Sequence, residues 1–167
     1  NQGAETSPGN HTDTIEVRLH ESAYPYDVQS SIKTMLNTDG TAIAGASVDA
    51  LGSMYYVSVK HRNSVETWSA NPVLISSATN YDFTTSSNQA YGDNQIEVEP
   101  GVFAIFSGDL NQDENVDLTD FSLYEDDANN FLYGYLPTDV DGDGSVDLLD
   151  SPVLENNINQ FIFSNHP

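Results

Sequence analysis

Two short stretches near the end of the chain carry oxygen-bearing side chains at regular spacing. They are "DLNQDENVDLTD" (109–120), which we call the first loop, and "DVDGDGSVDLLD" (139–150), the second loop. Positions 1, 3, 5, 9 and 12 of both loops are Asp or Asn, namely Asp109, Asn111, Asp113, Asp117 and Asp120, and Asp139, Asp141, Asp143, Asp147 and Asp150. Side chains that offer only oxygen atoms can surround a hard cation. The alternative is a pair of acidic loops that only water solvates.

This spacing is typical of a twelve-residue calcium loop. Such a loop uses side-chain oxygens at positions 1, 3 and 5, a main-chain carbonyl at 7, often a water at 9, and a carboxylate at 12. Val116 and Val146 stand at position 8, where an apolar side chain can pin one loop against the other. The sequence therefore predicts two bound Ca²⁺ ions. We expect the second loop to bind more tightly, because Gly144 suits the sharp turn at position 6 better than Glu114 does.

Charge is distributed unevenly along the chain. The 167 residues include 26 Asp and Glu but only 4 Lys and Arg, for a formal net charge of -22. All four basic residues lie in the first 62 positions, whereas residues 109–167 hold 14 acidic residues and no Lys or Arg. Such a segment repels itself when compact, so we expect it to fold around a cation. The same charge argues against binding to nucleic acid or anionic lipid.

Residues 14–108 have the period of two that is typical of strands. In "TIEVRLH" (14–20), Ile15, Val17 and Leu19 alternate with polar residues, as in a strand with one buried face. A hairpin is predicted around Asn37–Gly40. Further strands are predicted over 53–62, 64–69, 72–77, 81–86, 94–99 and 102–107. Short strands at this spacing predict an antiparallel β-sandwich of immunoglobulin-like type.

Each acidic loop leads into a segment with helical spacing. The apolar residues that define it are Phe121, Tyr124, Ala128, Phe131 and Leu132 after the first loop, and Val153, Leu154, Ile158, Phe161 and Ile162 after the second. The two halves form an internal repeat. The predicted organisation is an N-terminal tail (1–13), a β-sandwich (14–108) and a calcium-binding domain (109–167), which gives a mostly β fold with a small α unit.

The repeated loop and helix resemble the dockerin module over roughly residues 108–163. An EF-hand would have a helix before each loop, but "VFAIFSG" before Asp109 is strand-like, and Gly134 and Pro137 precede the second loop. The resemblance assigns the ten Asp and Asn residues as calcium ligands and adds the main-chain oxygens of Asn115 and Ser145. It also implies that positions 10 and 11 contact a cohesin-like receptor; these are Leu118, Thr119, Leu148 and Leu149.

The whole chain is similar to the tail modules of large bacterial surface and secreted proteins. In these, a β-sandwich with an "HRN"-type strand and a "YG" segment runs directly into a "GDLNQD" loop. The corresponding stretches here are "VSVKHRNS" (57–64) and "AYGDNQ" (90–95). The resemblance implies an extracellular or cell-surface location. Because the chain begins at Asn1 rather than Met, we expect a processed product or a fragment, and a mature exported protein would begin in this way.

Several classes of function are disfavoured by the sequence. Outside the acidic loops we find no nucleophile motif, phosphate loop or carboxylate pair, so we expect a non-enzymatic protein. No apolar run reaches the length of a membrane span, so direct membrane insertion is not expected. Asn10, in an Asn-His-Thr sequon, and Thr14, in an Asp-Thr-Ile stretch, are candidate glycosylation sites.

Two functions remain open at this point. The first is a structural module for adhesion or surface assembly, including a subunit that joins other copies of itself into a filament. In that case the acidic domain of one copy could meet Lys33, Lys60 and Arg62 of the next. The second is a docking module that binds a cohesin-like receptor on a surface protein.

Overall fold

The computed structural model describes residues 11–167. Within them the chain is mostly β, with antiparallel sheets and two α-helices. The strands are β1 (His11–Glu21), β2 (Val28–Asn37), β3 (Met54–Lys60), β4 (Thr67–Trp68), β5 (Val73–Leu74), β6 (Ile96–Glu99) and β7 (Val102–Ala104). The helices are α1 (Leu118–Asn129) and α2 (Ser151–Asn159). Short 3-10 helices occupy Val48–Ala50, Ser87–Gln89 and Tyr91–Asp93.

The described residues form two compact units. The β unit contains residues 11–61, 66–105 and 165–167. The acidic unit contains residues 106–164 and, in addition, residues 62–65 from between β3 and β4. Arg62 is therefore the one Lys or Arg among the described residues of the acidic unit.

The main sheet of the β unit is built around β1. This strand pairs antiparallel with β2 on one side and β3 on the other, and β3 in turn pairs with β4 and β5. The alternation predicted for residues 14–20 is confirmed, and the strand begins earlier, at His11. The apolar face packs around a buried core of Leu19, Ala50, Val57 and Ile75, with Val17, Tyr55 and Val73 beside it. The sheet thus depends on β-branched and aliphatic side chains at alternate positions.

The other face of the same strands buries a charged cluster. Ser58 donates its hydroxyl hydrogen to Glu66 Oε1 at 2.5 Å, Arg18 Nη1 donates to Glu66 Oε2 at 3.0 Å, and His20 Nε2 lies 3.4 Å from Oε1. The His20 ring lies against the Trp68 ring at a tilt of 36°, with centroids 3.6 Å apart. Burial raises the pKa of Glu66, but the hydrogen bonds and the Arg18 charge outweigh burial, so the pKa falls below its ordinary value.

Residues 81–86 do not form the strand that their pattern predicts. Asp82 Oδ1 accepts hydrogen bonds from the amide and the hydroxyl of Thr84 at 2.8 and 2.7 Å, and such a local turn competes with a β-ladder. Tyr81 donates its hydroxyl hydrogen to the carbonyl of Gln89 at 2.5 Å. Downstream, β6 and β7 pair with each other as a two-stranded antiparallel sheet.

Local hydrogen bonds define where the helices start. The side chain of Asp117 caps α1 by accepting from the amide of Thr119 at 2.6 Å, and Asp120 accepts from the amide of Asp117 at 2.8 Å. Together they form a capping box. A proline, Pro152, stands in the first turn of α2, where its fixed φ favours a helix.

Phe131 and Phe161 lie just past the ends of α1 and α2, not on buried helix faces as their spacing predicts. Their φ angles are 53° and 54°. In each case the next amide donates back to the carbonyl five positions earlier at 3.1 Å, as in a Schellman helix end. The left-handed residue turns the chain away from the helix axis. The two rings are consequently 85% and 83% exposed.

Candidate metal centre

The two acidic loops occupy equivalent places in the acidic unit. Each ends at the first turn of a helix, α1 for the first loop and α2 for the second. The carboxylates at positions 1 and 12 are buried in both loops; they are Asp109, Asp120, Asp139 and Asp150. Since a buried carboxylate is costly without partners, these four side chains must be stabilised from within the unit.

Carboxylates converge most closely in the second loop. Asp139, Asp141 and Asp143 each place one oxygen within 4.8 Å of the other two, and this triad could hold a metal ion. The first loop has Asn111 at the middle position, where its amide nitrogen donates to Asp113 Oδ2 at 2.8 Å. The first loop therefore brings less negative charge to these three positions.

Positions 3 and 5 hold both loops in the same turn. At position 3, Asn111 and Asp141 accept hydrogen bonds from the amide two residues further on at 2.9 and 3.0 Å. At position 5, Asp113 and Asp143 do the same at 3.0 and 2.8 Å. Such turns curve the chain around its own side-chain oxygens.

Positions 1 and 12 close each loop through main-chain amides. The Oδ2 atoms of Asp109 and Asp139 both accept from the amide of position 6 at 3.1 Å. At position 12, Asp120 Oδ1 accepts from the amides of positions 2 and 3 at 2.8 and 3.2 Å, and Asp150 Oδ1 accepts from the matching amides at 2.6 and 3.0 Å. Their Oδ2 atoms accept from position 9 at 2.8 and 3.0 Å. The position 12 carboxylates thus tie the start of each loop to its end.

Each loop is also joined to the opposite half of the repeat by a short antiparallel bridge. The bridged pairs are Asn115 with Phe163 and Ser145 with Tyr133. The hydrogen bonds of both bridges use the residues that flank position 7, at 2.7 to 3.0 Å. The carbonyls of Asn115 and Ser145, which the dockerin resemblance assigns as ligands, are consequently not acceptors in these bridges.

Position 9 has one role in both loops. Asp117 and Asp147 accept hydrogen bonds from the amides two residues on, in Thr119 and Leu149, at 2.6 and 2.8 Å. The bond in the first loop caps α1, whereas the bond in the second loop lies in the turn just before α2. A carboxylate at this place also adds negative charge close to the helix N-terminus, where it is favourable.

The two loops differ at position 6. Glu114 and Gly144 both adopt a left-handed backbone, with φ of 76° and 91°. Glycine reaches this region without penalty, whereas an L-residue with a side chain loses about 1 kcal/mol. The first loop is therefore strained at the place where the second is relaxed.

Electrostatics inside the loops favour a bound cation. Burial raises the pKa of Asp109 to about 6, and the Asp120 and Asp113 carboxylates add to the rise while amide hydrogen bonds oppose it. Burial likewise raises the pKa of Asp120 and of Asp139. A positive charge close to a buried carboxyl stabilises its ionised form. A hard cation with oxygen ligands would supply it.

Sequence reasoning missed two residues that reach the second loop, Arg62 and Asn63. Arg62 Nη1 donates to the carbonyls of Leu136 and Asp139, and Asn63 Nδ2 donates to the same Asp139 carbonyl at 3.2 Å. The "HRN" motif was the only signal, and its pattern indicated a strand. The structure instead ends β3 at Lys60 and places Arg62 and Asn63 in the acidic unit.

The candidate glycosylation sites lie in the first part of the chain. Asn10 lies outside the described residues. Thr14 is exposed on β1, and its hydroxyl donates to Met35 Sδ at 3.6 Å. The amide of Thr14 donates to Asp13 Oδ1 at 2.6 Å.

Comparison of the chain with protein-family models, with curated proteins and with solved structures gave no match. Neither helix in the described part of the chain has the length and apolar character needed to cross a membrane.

Proposed function

We propose that this chain is an extracellular, non-enzymatic structural module in which two Ca²⁺ ions fold the acidic unit. The observation that carries the proposal is the shared pattern of hydrogen bonds in the two loops. Side chains at positions 3, 5, 9 and 12 accept the same amides in both. Two unrelated acidic loops would have no reason to adopt the same turns.

Calcium fits this donor set better than other common metals. The candidate ligands are carboxylate, amide and carbonyl oxygens, which Ca²⁺ binds six to eight at a time. Zinc favours histidine and thiolate, and neither occurs at a ligand position. Magnesium demands a tighter octahedron and keeps several waters.

Folding of the acidic unit should depend on the ions. Residues 109–164 carry 14 acidic side chains, and Arg62 is the one Lys or Arg in the described part of this unit. Two divalent ions would remove much of the repulsion between these side chains. Binding free energy is then also folding free energy.

The proposed architecture is an immunoglobulin-like β-sandwich followed by a dockerin-like pair of loop-helix motifs. The β unit supports the first part through its antiparallel sheets. The absence of an entering helix supports the second, because α1 ends at Asn129, well before Asp139, and β7 precedes the first loop. Dockerins differ from EF-hands in this respect.

Calorimetric titration of the full chain with Ca²⁺ tests the proposal. We expect two ions per chain, with one class of site tighter than the other. Asp139→Asn should remove the tighter site, because it deletes the buried position 1 carboxylate. Binding of fewer than two ions by the unaltered protein, or a preference for Zn²⁺, would contradict the proposal.

We further propose that the module works in adhesion or surface assembly, by joining other copies of itself into a filament. Charge supports this, since the acidic unit could meet Lys33 and Lys60 of a neighbouring β unit. Calcium would both fold the acidic unit and reduce its repulsion. Electron microscopy should detect polymers in Ca²⁺ that dissociate with chelator. Monomers at high concentration in saturating Ca²⁺ would exclude self-assembly.

A second candidate function is docking to a cohesin-like receptor. Leu118, Leu148 and Leu149, at loop positions 10 and 11, are 71%, 81% and 65% exposed. Exposed leucines at the positions that dockerins use for recognition favour this function. Leu148→Asp plus Leu149→Asp should abolish receptor capture from a surface extract while leaving both Ca²⁺ sites intact. Polymer formation unaffected by the same change would favour assembly.

A further inference from the structure

Two residues from outside the repeat meet on one atom of the second loop. The carbonyl oxygen of Asp139 accepts from Arg62 Nη1 at 3.2 Å and from Asn63 Nδ2 at 3.2 Å. Arg62 Nη1 also donates to the carbonyl of Leu136, three residues earlier. Asn63 is buried and Arg62 is half-buried. The main chain is thus held just before the second loop and at the first residue of that loop.

We propose that Arg62 and Asn63 are positioning residues that set the cation affinity of the second loop. The inference rests on the proposed calcium binding. Asp139 is the position 1 ligand of this loop, and its carboxylate can move only as far as its own main chain allows. Groups that hold a ligand in place without touching the metal strengthen binding, because less order must be gained when the ion arrives.

Main-chain atoms of the same segment also support the first loop. The carbonyl of Asn63 accepts from the amide of Gly108 at 2.6 Å, and Ser64 and Ser107 form an antiparallel bridge. Gly108 has φ of 115°, and a Cβ there would lie 2.8 Å from Val116 Cγ1. Replacing the side chain of Asn63 leaves the main-chain groups that make these contacts in place. Loss of the Asn63 side chain should therefore lower the Ca²⁺ affinity of the second loop more than that of the first.

Arg62 contributes charge as well as hydrogen bonds, and the two act in opposite directions on cation affinity. Its guanidinium lies 4.5 Å from the centre of the Tyr135 ring and beside the Asp139 carbonyl. Its positive charge repels a cation, whereas its hydrogen bonds hold the ligand. Arg62→Lys keeps the charge but replaces the rigid planar fork with a flexible point donor. This substitution therefore isolates the positioning effect.

The experiment is a Ca²⁺ titration of the full chain that is monitored through the NMR signals of its main-chain amides. The amides of Gly142 and Gly144 report on the second loop, and that of Asn115 reports on the first. We expect Asn63→Ala and Arg62→Lys each to weaken the second loop by about 10-fold, the lower end of the usual effect of outer-shell groups. The first loop should keep its affinity within about twofold.

Matched controls are Asn80→Ala and Arg18→Lys, in the β unit, which should leave both loops unchanged. A merely structural role would lower both affinities together, so equal weakening of the loops would overturn the inference, as would no weakening in either variant. If the unaltered chain fails to bind two Ca²⁺ ions, the proposed function is wrong. If it binds two and the variants do not separate the loops, only the positioning role is wrong.

Discussion

The phenolic hydroxyl of Tyr124, in α1, donates a hydrogen bond to the main-chain oxygen of Asp147, in the second loop, at 2.8 Å. Tyr124 is buried. The equivalent residue of the second half is Leu154, which has no hydroxyl. Leu154 therefore cannot donate the corresponding hydrogen bond to the first loop. The two halves of the repeat differ in this contact.

Tyr124→Phe should destabilise the calcium-loaded acidic unit by about 1 kcal/mol, the usual value of a buried neutral hydrogen bond. It should also weaken the second loop about fivefold, because Asp147 loses a main-chain restraint. Urea unfolding in Ca²⁺ and calorimetry measure the two effects. Tyr81→Phe is the control, since it removes a hydroxyl bond in the β unit. A loss of Ca²⁺ affinity in the control would contradict this account.

Glu114→Gly should strengthen the first loop. The φ of 76° at Glu114 costs about 1 kcal/mol that glycine does not incur, so affinity should rise by up to about fivefold. The reverse change, Gly144→Glu, should weaken the second loop by a similar factor. Competition titration with a chromophoric chelator measures both. If Glu114→Gly lowers affinity instead, the side-chain charge of Glu114 outweighs the strain of its backbone.

Removal of Ca²⁺ should unfold the acidic unit and leave the β unit folded. Excess EDTA is expected to abolish the helical circular-dichroism signal of α1 and α2, because the 14 acidic side chains of residues 109–164 then lack a counter-charge. Trp68, buried in the β unit, should keep its fluorescence maximum. Helical signal that persists in EDTA would show that the fold does not need the metal.

Acid should destabilise the β unit through Glu66. The pKa of this carboxyl is lowered from about 4.5, so its contribution to stability is present above that pH and is lost as pH falls through the lowered folded value. Urea unfolding followed at Trp68 in EDTA, between pH 7 and pH 3, measures the loss. Glu66→Gln should flatten the profile, whereas Glu99→Gln, at an exposed site, should not. Equal flattening by both would assign the effect to net charge.

Phe161→Gly should stabilise the end of α2 while impairing any contact made by its ring. Its φ of 54° suits glycine, and we expect a gain of about 0.5 to 1 kcal/mol in calcium-loaded stability. Polymer formation or receptor capture should fall, because an 83% exposed ring is lost. Unchanged assembly and capture would assign the ring no role in binding.

The sequence predicted some elements well because their signals are local. The alternation of Ile15, Val17 and Leu19 depends on neighbours two residues apart, and β1 forms as expected. The helices follow capping residues that are themselves part of the loops, as at Asp117. The predicted strand at 81–86 was wrong because a short-range turn at Asp82 competes with β-pairing. The amino-acid composition of this segment is compatible with either the turn or the strand.

Contacts between distant residues could not be predicted in the same way. Asp109 and Asp139 were identified by spacing, but nothing near them in sequence indicates that Asn63 donates to the Asp139 carbonyl. The exposed position of Phe161 depends on a single left-handed φ, which ordinary helical periodicity does not reveal. Periodicity specifies faces of elements, whereas the support of a loop depends on which segments fold against it.

The antiparallel bridge between Asn115 and Phe163 sets an order of events during biosynthesis. The amide of Ser164 donates to the carbonyl of Glu114, so the first loop lacks one of its partners until the chain has been made almost to that residue. The first loop therefore cannot be completed until the residues after α2 have been synthesised. If calcium binds as proposed, the first loop would take up its ion only after synthesis of the acidic unit is complete.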